Sequence, residues 1–146
     1  MPSLPVTESD IDAFLRAFED GTLPKQEWTH AAHLLGGACY VYTLGAKAAL
    51  EHMRACVQRY NEAVGGRNTE TSGYHETLTV FWIATLRDLR RALQPASRSQ
   101  FAHAAVEAYG QRRDLFKDFY SFDVVASTRA RREWVAPDLR SLAEFS

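Results

Sequence analysis

From Leu34 to Val41 the chain runs Leu-Leu-Gly-Gly-Ala-Cys-Tyr-Val, and on a helix these apolar and small residues close around nearly the whole circumference. Such a helix has no face to give to water, so it must lie at the centre of the fold with other elements on several sides. Gly36 and Gly37 would each weaken an isolated helix by about 1 kcal/mol relative to alanine, which predicts that another element packs closely against them.

The surrounding pattern is also helical. Thr7 or Ser9 can cap a first helix whose apolar stripe is Ile11, Phe14, Leu15 and Phe18, ending at Gly21. The central helix starts after Pro24, or at Thr29 as its N-cap, and runs towards Gly45. A third, amphipathic helix from about Ala46 to Val64 carries Leu50, Met53, Val57 and Tyr60 on one face. A polar stretch, Gly65 to Glu70, precedes a fourth helix capped by Thr71 or Ser72, and its run from Leu78 to Leu86 makes it a second central element. A fifth spans about Ser99 to Gly110, and helical spacing recurs over 114–125 and 127–134 before Pro137 ends the pattern. With no strand alternation, hairpin signal or internal repeat, the expectation is an all-α single domain over 1–146. It is a bundle of about five to seven helices with two central ones and an extended tail from about 136.

A chain of 146 residues, 46% hydrophobic and 24% charged, can bury one sizeable core. A formal charge of −1 supplies no global field for nucleic acid, and the basic run Arg129-Ala130-Arg131-Arg132 is followed at once by Glu133. No apolar run is long enough to cross a membrane and no secretory leader is legible, so cytoplasmic residence is the expectation. Cys39 and Cys56 lie at unequal distances from the turn near Gly45, which predicts free, buried thiols rather than a disulfide.

Two segments place ionisable groups at the start of apolar helical runs: Trp28-Thr29-His30-Ala31-Ala32-His33-Leu34 and Thr71-Ser72-Gly73-Tyr74-His75-Glu76-Thr77-Leu78-Thr79. Short connections make successive helices antiparallel, so the second and fourth point the same way and bring these segments to one end of the domain. His30 and His33, three apart, share a helix face and can offer two nitrogens to one ion. With His75 they form a three-imidazole set for a divalent ion such as zinc or iron, leaving a position open for water or substrate. Glu76 is then the candidate catalytic group, as a base, an orienter of an imidazole or a further ligand. Tyr74 borders the same end, and Tyr60 and Asn61, at the end of the third helix, are candidate ligand contacts.

Each residue also has a purely structural account. A histidine beneath a helix terminus can simply be a satisfied polar group, and Glu76 in a first turn suits the helix dipole. Two helix N-termini at one cavity favour a carboxylate or phosphate ligand, and the loop from Gly65 to Glu70 is the candidate cover. Three readings stay open: a metal-dependent enzyme, hydrolytic or oxygen-using, acting on a small polar or anionic molecule; a noncatalytic small-ligand binding or sensing domain; and a structural module whose arginine-bearing later helices and Trp134 make a homodimer or partner surface.

The blocks EWTHAAHL and TSGYHETLT, with WVAPDL near the end, resemble a group of small bacterial helical proteins of uncharacterised activity, over roughly Phe14 to Leu139. The resemblance implies a bacterial, single-domain protein and draws attention to His30, His33, His75 and Glu76, but carries no activity with it. A small bundle with a three-histidine metal site is also similar in general design to the DinB-like proteins, by analogy alone, because the order and local motifs differ. Phosphate-cradling glycine motifs, a serine nucleophile elbow, HExxH and CxxC are all missing from the sequence.

Overall fold

The structure, a computed structural model, describes residues 4–142. Six α-helices account for the regular structure: α1 (Glu8–Asp20), α2 (His30–Leu44), α3 (Ala46–Ala63), α4 (Glu76–Leu93), α5 (Arg98–Tyr109) and α6 (Thr128–Arg132), with 3-10 turns at Lys25–Glu27 and Leu115–Asp118. The all-α bundle expected from the periodicity is what forms, and none of the helices is long and apolar enough to cross a membrane.

Helix ends follow local chemistry where that chemistry is free to act. Thr7 caps α1 by accepting from the Asp10 N–H, and Gly21 ends it with its own N–H bonded back to Ala17 and Phe18. Thr29 caps α2 through the Ala32 N–H at 3.2 Å. The start of α4 differs from expectation. Thr69 Oγ1 accepts from the N–H groups of Thr71 and Ser72, and the Thr69 N–H donates to the Ser72 carbonyl. These residues therefore close a turn of their own, and α4 begins four residues later with His75 as its cap. The fifth helix starts one residue early, capped by Ser97.

Beyond α5 the expected helix over 114–125 reduces to one 3-10 turn. Asp118 and Asp123 make local side-chain bonds, with Arg112 and the Ala126 N–H, Ser121 is drawn to Asp138, and Val124 and Val125 add little helix propensity. What results is an irregular strap, pinned by a small second core of Phe81, Phe116, Tyr120, Val124 and Ala130. The segment after α6 lies back on it: Tyr120 donates to the Val135 carbonyl at 2.6 Å, and the Leu139 N–H donates to the Phe119 carbonyl. The last four residues of the expected tail fall outside the described residues.

Helix α2 packs on α3, α4 and α5, which is the central position its apolar circumference demands. At Gly37 a β-carbon would stand 3.0 Å from Leu86 Cδ1, so glycine lets α4 lean in as expected from the sequence. The main core joins Phe18, Leu34, Leu35, Tyr60, Leu86 and Phe101, all 0–1% exposed. Both cysteines are free and buried.

Candidate functional site

A cavity of about 1010 Å³ opens between the N-terminal parts of α2 and α4 and the stretch of α3 from Met53 to Asn61. On α2 it is lined by His30, His33, Leu34 and Gly37, one face of the helix; on α4 by Leu78, Thr79, Trp82, Ile83 and Leu86; on α3 by Met53, Val57 and Asn61. The strap closes the remaining side with Arg113, Phe116, Lys117 and Tyr120.

His30, His33 and His75 all border this cavity, but they are bonded differently. His75 Nδ1 accepts from the Leu78 N–H at 3.2 Å, doing the work of a serine hydroxyl at the helix cap. Its Nε2–H donates to the Val124 carbonyl at 2.9 Å and so fastens the strap to α4. With one nitrogen accepting and the other donating, this ring is the neutral tautomer and has no lone pair left over. His30 lies edge-on to Trp82 and donates from Nε2 to the Tyr109 carbonyl at 3.1 Å, leaving Nδ1 open.

His33 is the exception. Its backbone N–H donates to the Thr29 carbonyl at 2.9 Å, but its ring makes no hydrogen bond among the described residues, and the residue is exposed and lines the cavity. Loss of hydration, with smaller contributions from His30 and Arg113, lowers its pKa from the ordinary 6.5, so the ring is neutral at physiological pH. Trp28 stands edge-to-face with it, ring centroids 4.1 Å apart, and is itself stacked on Phe18 at 4.3 Å. Trp28 Nε1 is the one buried side-chain nitrogen or oxygen without a partner among the described residues.

Burial also lowers the pKa of His30 and of His75 from the ordinary 6.5. Each imidazole is therefore more readily protonated in the unfolded chain, and its stabilising contribution is complete above pH 6.5 and is lost as the pH falls below that value. Urea unfolding at pH 8 to 7 is expected to give a constant free energy, with a decline already present between pH 6.5 and 5, before the carboxylates titrate. In His75→Asn, which keeps a capping acceptor, that decline is shallower; an unchanged slope would remove His75 from the acid response.

The remaining sequence candidates separate. Glu76 does not line the histidine cavity but a second depression of about 570 Å³, with Arg54, Gln58, Asn68 and Trp134. Arg54 grips it at both oxygens (Nε to Oε1 2.9 Å, Nη2 to Oε2 2.6 Å), and the Tyr74 hydroxyl donates to Oε1 at 2.6 Å. Burial opposes its ionisation, but these bonds outweigh that and hold the carboxyl below its ordinary range. It ties α3 to α4. Tyr60 is 1% exposed and donates to the Leu23 carbonyl, outside the cavity wall, whereas Asn61 and Tyr74 do border the cavity. The loop 65–70 does not touch the cavity; Asn68 pins it, accepting from Asn61 Nδ2 and the Tyr74 N–H and donating to the Gln58 carbonyl. The covering segment is the strap.

Sequence reasoning missed the strap's contribution, above all Arg113, which is exposed on the cavity and makes no hydrogen bond or ion pair within the described chain. The available signal was a cationic pair, Arg112-Arg113, just past the glycine that follows α5 and ahead of an aromatic cluster. Among the described residues, no group of three or more His, Cys, Asp or Glu side chains is placed to hold a metal ion together. Comparisons with family models, curated proteins and solved structures find no match to this chain.

Proposed function

We propose that this chain binds a small polar or anionic molecule in the cavity between α2, α3 and α4, with His33 as the group that recognises its polar end. The observation that carries the reading is an imidazole on the cavity wall whose ring nitrogens have no partner among the described residues. An exposed imidazole on a cavity of this size offers one donor and one acceptor to a ligand or to water. Cavities of several hundred cubic ångströms with apolar walls and few polar groups are the usual form of small-molecule sites.

Recognition fits this ring better than proton abstraction. A general base works best with a pKa near the working pH, and that of His33 is lowered from its ordinary value. Its lone pair serves as a hydrogen-bond acceptor. The metal-dependent reading draws less support, since His75 commits both nitrogens to backbone groups and leaves two imidazoles for an ion.

The test is NMR of the full chain with ¹⁵N-labelled histidine rings during titration with a defined panel of small organic acids, alcohols and amines. A cavity ligand is expected to move the His33 ring nitrogens, and His33→Ala is expected to weaken it about tenfold, the loss of roughly one good hydrogen bond. A panel with no binder, or binders indifferent to His33→Ala, overturns the reading.

A further inference from the structure

We infer that the cavity's ligand is an amphipathic organic carboxylate, its charged head beside Arg113 at the helix N-termini and its apolar body running inward between α2 and α4. This rests on the reading of the cavity as a small-molecule site and adds which molecule it takes.

The walls grade with depth. Helices α2 and α4 start at the same end, and α3 finishes there, so position along each helix reports depth. The end where α2 and α4 begin carries His30 on α2 and Asn61 on α3, with the buried His75 at the α4 cap. One turn in, His33 and Thr79 are still polar; from there the lining is Leu34 and Gly37 on α2, Ile83 and Leu86 on α4, Val57 and Met53 on α3. From His30 to Gly37 is seven residues, or about 10 Å of helix. A small inorganic anion would fill the outer turn and leave that depth unused. A purely apolar molecule would bury there but leave the outer polar groups unmet, at a cost.

The charge at the outer end selects the sign. Arg113, Lys117 and Arg131 face the cavity, against the carboxylates of Asp114 and Asp123. Asp123 accepts from the Ala126 N–H and Arg131 is bonded only to the carbonyls of Gly73, Tyr74 and Val125, so backbone bonds neutralise neither charge, and the three cations outnumber the two carboxylates. Arg113 has no partner of any kind within the described chain. A planar guanidinium matches a carboxylate with two parallel bonds, and neutral His33, a little deeper, can accept from a hydroxyl or amide further along the ligand.

The experiment uses the full chain with four probes: octanoate, 1-octanol, acetate and 2-naphthoate. Binding is followed by calorimetry and by tryptophan fluorescence, because Trp28 and Trp82 both line the cavity. Octanoate or 2-naphthoate is expected to bind at least about tenfold more tightly than 1-octanol, and acetate to give no saturable signal. The choice between the two binders tells an acyl body from a ring body. Arg113→Ala, a substitution at an exposed side chain, is expected to bring the carboxylate down to the affinity of the alcohol and to leave the alcohol unchanged. Equal binding of alcohol and carboxylate in the parent chain overturns this inference while leaving a His33-dependent cavity in place. Acetate binding as tightly as octanoate overturns it by showing that the depth is not used. No binding by any of the four overturns it as well, and a broader panel that then also failed against the His33 ring signals would take the site reading with it.

Discussion

Phe18→Ala is expected to cost about 3–5 kcal/mol of folding free energy, the range for emptying a fully buried aromatic position. For a chain of this length that corresponds to a fall in melting temperature on the order of 10 °C. Phe18 is 0% exposed at the end of α1, and its ring backs the indole of Trp28 at 4.3 Å and approaches Tyr60 at 5.5 Å. Tyr60 in turn reaches the Leu23 carbonyl, so the same cluster fixes the linker between α1 and α2. Because Trp28 holds the edge of His33, losing its backing is expected to loosen the imidazole as well as the core. Urea denaturation gives the stability and the His33 ring signals give the local effect. A loss below about 1 kcal/mol would mean that the surroundings collapse into the space and that the aromatic stack is not what orders this end.

The second large effect is expected at Gly73, where the backbone has φ +79° and an added β-carbon would lie 2.4 Å from the Arg67 carbonyl oxygen and 2.7 Å from Asn68 Oδ1. Alanine there must hold a left-handed conformation, at about 1–3 kcal/mol, and must also push the loop away. The loop has little room to move, since Asn68 Oδ1 binds both the Tyr74 N–H and Asn61 Nδ2. Gly65→Ala is the natural comparison: φ is also positive, but nothing lies within 4 Å of the new atom. Gly73→Ala is expected to be the more destabilising of the two by at least about 1 kcal/mol, as read from urea midpoints at equal slope. Equal losses would show that the loop yields freely and that Asn68 does not fix it.

The parts of this fold that were legible in the sequence are those decided within one helical turn. Thr7 and Thr29 cap the helices they precede, Gly21 ends the first, and the ring of apolar residues on α2 could only mean a central helix. His30, His33 and Asn61 were legible as neighbours because helix spacing and short connections place them at one end. What escaped was decided by competition or by distance along the chain. Thr71 and Ser72 have the chemistry of caps, but Thr69 draws their N–H groups into a turn first, and an imidazole takes the cap instead. Glu76 sits one residue on from His75, which turns it by about 100° around the helix, towards Arg54 on α3; the existence of that arginine partner is a tertiary fact. Arg113 belongs to a segment whose path is set by Phe116, Tyr120 and Val124 finding a second core, and no local pattern encodes that.

The hollow beside His33 is built from unlike materials. Three of its sides are long helices, each held by a continuous ladder of backbone bonds, while the fourth is a strap with one 3-10 turn, held by its small second core, the His75 ring and the segment after α6. Local opening costs least where such ladders are fewest. A cavity ligand of the proposed kind is accordingly expected to displace that side first and to leave the register of the helices, with the imidazoles they carry, unchanged.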